Sequence, residues 1–400
     1  MFFSGIDQGG AQGRRGALTA VFLLIVFGVS AGMTGPSADD QDLKKRLRSN
    51  DAVIRVGAVE SLIKLEKQQA LDLLERALLD RAWEVRIAAA VVLGQVGGQA
   101  AVDLLAEALY DWNLNVVATA ARSLAGMDDP RVVEKMKQLL KKRNYVLRVN
   151  AAAVLGMMKY PGAAEALIDL LKDSDPSVRA NAANALILVK DVRALVPLIE
   201  ALADDKDKVR AGAALAVGFL GDSSAVEPLL KSLADPDPVV RANAVVSLGL
   251  LCDHRAVDAL ASALQDRYAQ IRANAAEALG MIADVRSIDA LGERIHDDNK
   301  NVRIQAAKAL GKIGLPQALS ALILLVWDPE MLVQLEAVLA LDRISEIDAR
   351  AIDPLIEALK ADWYSIRYGA AVVLRKVTGQ DLAVDYETWK KWRSLNMEKR

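Results

Sequence analysis

Along most of this chain apolar residues fall at helical spacing, and the arrangement itself recurs. The shortest common pattern is aliphatic-Arg-x-x-Ala-x-x-x-Leu-Gly. Its Arg slot is filled by Arg55, Arg86, Arg148, Arg179, Arg210, Arg241, Arg272, Arg303 and Arg367, with Val117 and Gln334 in the two other copies. Successive slots lie 31 residues apart nine times running, and the last step is 33. The residue before the slot is always Ile, Val or Leu. Ala stands three after it in all eleven copies, and Leu stands seven after it in ten, with Val217 in the other. Offsets −1, +3, +7 and +10 form one stripe of a 3.6-residue helix. The constant Ala marks where two helices approach most closely.

A second stripe precedes the first, at Leu74 and Leu78, Leu105 and Leu109, Leu167 and Leu171, Leu229 and Leu233. Each unit therefore reads as two antiparallel helices, A then B. Asp-Pro pairs punctuate the turn, so that Asp175 and Asp237 cap helix B with Pro176 and Pro238 at its first position. Gly at +8 (Gly94, Gly156, Gly218, Gly249, Gly280, Gly311) either ends helix B or admits close packing. One hairpin cannot bury both its apolar faces, so the array is stable as an array. The hydrophobic content of 53% with 4% aromatics fits many small helix contacts rather than one aromatic core.

Residues 1–31 carry a basic flank (Arg14, Arg15), a charge-free run from Ala17 to Ala31 and a small-residue exit. This describes a secretory signal peptide or a signal-anchor. Residues 32–38 read as a linker, 39–381 as the repeat array and 382–400 as a C-terminal capping helix and tail, in which Tyr386, Trp389, Trp392 and Leu395 share a helical face. The expected location is outside the cytoplasm, periplasmic or secreted, with membrane contact through an uncleaved N-terminal segment. A formal charge of −2 gives no global field toward nucleic acid. Cys252, the single cysteine, reads as a small buried hydrophobe.

The pattern resembles the HEAT-like repeats, particularly the short bacterial and archaeal form named after phycobilisome lyases. The resemblance covers roughly residues 39–381 and includes an Asp six before the slot: Asp80, Asp111, Asp173, Asp204, Asp235, Asp266, Asp297 and Asp328. It implies an all-α, right-handed α-solenoid of about eleven two-helix repeats, with a ladder of Asp and Arg along the stack. Ser49, Lys142 and Ala361 depart from the Asp series, as Val117 and Gln334 do from the Arg series, so the ladder is expected to break near repeats 1, 3, 4, 10 and 11. Helix B typically lines the concave side of such stacks.

Candidate chemistry is sparse. His254 and His296 stand at different offsets with no ligand neighbours, which makes them structural or surface residues. The His-Glu pairs of the HEAT-type deoxyhypusine hydroxylases are lacking, and so are phosphate loops, nucleophile elbows and calcium loops. No catalytic residue, metal site or cofactor is expected. The basic runs Lys44-Lys45-Arg46 and Lys141-Lys142-Arg143 read as solvated faces. Candidate partner contacts lie on helix B. Position +9 is apolar in five consecutive repeats (Met157, Leu188, Phe219, Leu250, Met281), and Asn recurs at +2 (Asn150, Asn181, Asn243, Asn274). Together they suggest a groove for a peptide or helix; alternatively +9 is half-buried and the Asn residues bond between helices. Trp83, Trp112 and Tyr145, where A turns to B, are a weaker candidate. The expectation is a monomeric, non-catalytic scaffold for an unknown protein or peptide, with an accessory or lyase-like subunit related to bilin lyases as the alternative.

Overall fold

A computed structural model describes residues 40–397, which are helix, turn and loop without a strand. The signal and linker expectations, and the proposed start of the array at residue 39, lie outside the described residues. The chain divides into two compact units, residues 1–58 and 59–400. In the first, Arg55 at the slot donates to the carbonyls of Ser49 and Asn50 at 2.7 and 3.1 Å, which closes the turn between Asp40–Leu47 and Ala52–Ser61. Ile54, one before that slot, is 44% exposed, whereas its counterparts from Val178 to Ile366 are fully or almost fully buried.

The second unit is built of hairpins in the predicted register. We number the repeats 1 to 11 by slot residue, Arg55 to Arg367. Helix B of repeats 2 to 11 spans Trp83–Val96, Leu114–Gly126, Tyr145–Met158, Pro176–Val189, Asp207–Leu220, Pro238–Leu251, Ala269–Ile282, Lys300–Ile313, Met331–Arg343 and Tyr364–Thr378. The Ala at +3 and the residue at +7 are 0% exposed from Ala89 to Leu374, as the invariance predicts. Asp175 accepts from the Ser177 N–H at 2.7 Å, and Asp237 from Val239 and Val240. From repeat 5 onward helix A is short and opens with a 3-10 turn, as in Val192–Ala194 before Leu195–Ala201.

The structure decides between the two readings of Gly at +8. Helix B runs past it, and the glycine faces the +6 residue of the next helix B. A Cβ on Gly156 would sit 2.8 Å from Ala185 Cβ, one on Gly280 2.7 Å from Ala309 Cα, and one on Gly311 2.6 Å from Ala340 Cβ. These glycines allow neighbouring B helices to pack backbone against backbone. Helix B ends three residues later, at +11, in a left-handed residue: Asp128, Lys159, Lys190, Gly221, Cys252, Ala283 or Gly314. This corrects the reading of Cys252. It caps a helix at φ 50° and is exposed, with Sγ 3.2 Å from the Gly249 carbonyl oxygen.

The closing helix, Tyr386–Met397, packs on Ile352–Ala358 of the last repeat. Trp389 is fully buried and donates from Nε1 to the Ala383 carbonyl at 2.9 Å, and Trp392 meets it edge-on at 5.7 Å. Tyr386 Oη donates to Glu357, and Arg393 forks onto Asp353 at 2.6 and 2.9 Å. Leu395 remains 57% exposed, so the cap uses three of the four predicted side chains. Among the described residues no helix is long and apolar enough to cross a membrane.

Candidate partner-binding face

One polar contact between neighbouring repeats recurs along the stack. Seven slot arginines fork onto the Asp of the next repeat, 25 residues on: Arg86 to Asp111, Arg148 to Asp173, Arg179 to Asp204, Arg210 to Asp235, Arg241 to Asp266, Arg272 to Asp297 and Arg303 to Asp328, with Nε–O distances of 2.6 to 2.8 Å. The same arginine's Nη1 donates to the carbonyl six residues before it, so one side chain ties its own turn to the neighbour's. Planar, forked geometry of this kind is what arginine offers and lysine does not. Burial alone would raise the carboxyls of Asp173, Asp204, Asp235, Asp266 and Asp297. The arginine bond and a backbone N–H two residues on outweigh it and hold each below the usual carboxylate range.

This geometry explains the departures in the ladder. Val117 and Lys142 belong to the same rung, between repeats 3 and 4; Gln334 and Ala361 belong to the rung between repeats 10 and 11. Both partners are replaced together, so no half-rung is left in either place. Gln334 keeps the bond to its own turn, donating to the Asp328 carbonyl at 2.6 Å. From Arg86 onward the ladder runs as one rung, a gap, six consecutive rungs and a second gap.

A second staple on the opposite turns escaped the sequence reading. Asp129, Asp191, Asp222, Asp253 and Asp284 stand at +12, at the entry to helix A, and each accepts from the N–H two residues on. Where Arg follows at +14 it folds back onto that Asp, and Arg255 and Arg286 also reach the preceding repeat, at the carbonyls of Ser223 (3.0 Å) and His254 (2.9 Å). The Arg255 side chain and backbone N–H hold Asp253 down to about 2. The signal was an Asp at multiples of 31 residues, followed two positions on by Arg in four of these five copies. His254 is an exposed member of this edge, with Nδ1 2.8 Å from Asp284.

The predicted contact residues divide on inspection. Met157, Leu188, Phe219, Leu250 and Met281 form a row open to solvent, 36 to 42% exposed. The polar asparagines are mostly engaged. Asn150 donates to the Leu109 carbonyl at 2.7 Å and Asn243 to the Ala211 carbonyl at 2.8 Å, both in the preceding repeat. Asn181 donates to Ser177 of its own helix, and Asn274 accepts from Gln270. Asn274 also lines a shallow, polar pocket of about 210 Å³ between repeats 8 and 9, with Glu277, Asn301 and Gln305. Asn150 and Asn243 thus tie neighbouring repeats together two turns before the apolar row on the same helix face. On the turn edge Trp112 is 77% and Tyr145 49% exposed, while Trp83 is half-buried. Among the described residues no group of three or more His, Cys, Asp or Glu is placed to hold a metal ion.

A comparison with curated proteins finds no match. Among solved structures, Kap95p in its complex with RanGDP superposes with a TM-score of 0.61 at 16% identity over 85% of this chain, and importin beta with 0.60 at 15% over 86%. The chain spans about half of each, 55% and 56% of their lengths. Human deoxyhypusine hydroxylase is 26% identical over 63% of this chain, with a TM-score of 0.29. The family described as HEAT repeats matches residues 41–125, 79–146, 104–187, 133–218, 195–280, 226–301, 259–341 and 288–375, an overlapping series across the whole array. With its 31-residue hairpins, its Asp–Arg ladder and this match, the chain belongs to the HEAT-repeat family.

Proposed function

We propose that this protein is a non-catalytic scaffold outside the cytoplasm that holds a protein partner along the outward face of its B helices. The supporting observation is the apolar row from Met157 to Met281, open in five consecutive repeats. The fold does not require apolar residues there, because the same position carries Lys64, Gln95, Lys312 and Arg343 elsewhere. Neighbouring helices lie about 8–10 Å apart, close to the rise of six or seven residues of a helix at 1.5 Å each. A partner helix can therefore set one apolar side chain against each repeat, and the flexible Met termini of the row adapt to its shape. Lys312 and Arg343 continue the row with positive charge, which favours a partner whose end is acidic.

The test is the double substitution Phe219→Asp with Leu250→Asp in the full chain. We expect unchanged helicity and loss of the partner captured by the wild-type protein, while Gln95→Asp retains it. Unfolding of the double variant would assign the row to the core. A folded variant that still captures the partner would move the site elsewhere. Export is tested separately by protease accessibility in cells and by sequencing the N-terminus of the mature protein, expected to begin after Ala31.

A further inference from the structure

Three positions of each turn from helix A to helix B project outward: seven, five and three residues before the slot. In repeats 5 to 9 the first is Lys172, Ala203, Ala234, Gln265 and His296, and no large apolar side chain stands at the other two. The fold therefore does not need large apolar residues on this edge. Repeats 2 to 4 nevertheless place Leu79, Tyr110, Trp112, Leu114 and Tyr145 there, exposed at 83, 61, 77, 78 and 49%. These are separate tips on successive turns, not the wall of a cleft.

The charge is mixed in the turn of repeat 2, where Asp80, Arg81 and Glu84 stand, and positive alone in the turn of repeat 4. Lys141, Lys142 and Arg143 are exposed in the turn of repeat 4. Lys142 occupies the position at which the intact rungs hold an aspartate, so the gap between repeats 3 and 4 both deletes an acid and adds a base. The carboxylate of Asp111 on this edge is already held by Arg86 at 2.6 and 2.8 Å. Arg86 also lies 4.8 Å from the centre of the Trp112 ring, on the same edge. The other aromatic turns, at Tyr268, Trp327 and Trp363, have no such run of cations beside them; Tyr268 has Arg267 alone next to it in the turn.

We infer that the turn edge of repeats 2 to 4 rests on an anionic lipid surface, with the five apolar tips among the headgroups and Lys141, Lys142 and Arg143 on lipid phosphates. Trp and Tyr favour that interface because each has an apolar body and a polar end. Aliphatic tips add buried area, and each nearby cation adds attraction to anionic lipid. A protein partner anchors on residues seated in packed pockets, and projecting tips beside the three cations of repeat 4 fit a bilayer better. This contact is additional to any made by the N-terminal segment, and it does not rest on the scaffold reading of the B face.

The experiment uses the full chain with Cys252→Ser and one introduced thiol, Leu114→Cys, carrying an environment-sensitive fluorophore. Vesicles of phosphatidylcholine with and without phosphatidylglycerol are the probe. We expect a blue shift with the anionic vesicles alone, and none from the same label at Ser224→Cys on the opposite turns. Replacing Lys141, Lys142 and Arg143 with Gln should raise the anionic lipid needed for the shift about fivefold per residue, on the order of a hundredfold together. A silent label at 114, an equal shift at 224, or an unchanged lipid requirement in the Gln variant would overturn the inference. So would a label that ignores vesicles and shifts with a captured protein, which would make this edge a protein contact.

Discussion

At the scale of the residue, the glycines at +8 do the work that large side chains do in other cores. Repeats 6 and 7 touch where Gly218 faces Ser247, and a Cβ on Gly218 would come within 2.7 Å of Ser247 Cα. Neither backbone can retreat without loosening the Ala213 and Ala244 layers, both 0% exposed. Gly218→Ala should therefore destabilise the protein by about 2–3 kcal/mol. Gly126→Ala, with nothing within 4 Å, should be neutral or stabilising by up to about 1 kcal/mol. Denaturant midpoints of the two variants check the pair. The sequence revealed that these positions mattered but not which role they had, because a helix end and a close crossing both select glycine. The same limit applies to Cys252. Its apolar neighbours suggested burial, whereas its place at +11, a left-handed cap, leaves the side chain in solvent.

At the scale of the element, the hairpins were legible because local pattern and tertiary need coincide. The stripe at −1, +3 and +7 is also the buried face, and the Asp-Pro turns cap as their chemistry dictates. Side-chain hydrogen bonds were less legible. Asn150 and Asn243 reach carbonyls in preceding repeats, and no spacing within one helix announces that. The ladder was visible as two periodic series, but its pairing across 25 residues needed the structure. That pairing makes a prediction. Arg210→Val would leave Asp235 partly buried without its guanidinium and the Asp204 carbonyl without its donor, for a loss of about 2–4 kcal/mol. Adding a valine in the wild-type gap, by Gln334→Val, should cost less, about 1 kcal/mol, since one neutral bond to the Asp328 carbonyl is lost and no charge is stranded. Urea unfolding followed by circular dichroism distinguishes the two.

For the whole molecule, stability is distributed over nearest-neighbour contacts instead of one centre, and its response to acid follows from the rungs. Five rung carboxyls titrate below their ordinary range when folded. A carboxyl that binds its proton less tightly in the native state stabilises that state above its unfolded pKa of about 3.9. This contribution should hold from neutral pH down to that value, then fall as pH drops through the lower native pKa values. Thermal midpoints measured from pH 7 to pH 2 should be flat and then decline steeply, because the rungs titrate over a common window. The B-face row supplies no rung side chain, so under the proposed reading Phe219→Asp with Leu250→Asp should change binding and leave this acid profile intact.

The rung spacing also governs how such a chain can change length. Excising residues 211–241 would set Asp266 twenty-five positions after Arg210, and the cut ends would meet as a normal rung. The same excision of residues 87–117 would set Lys142 opposite Arg86, cation against cation. Gain or loss of a copy is thus permitted through the middle of the array and penalised beside its first gap, so the uninterrupted run from repeat 4 to repeat 10 is where a lineage can lengthen or shorten the stack in whole steps.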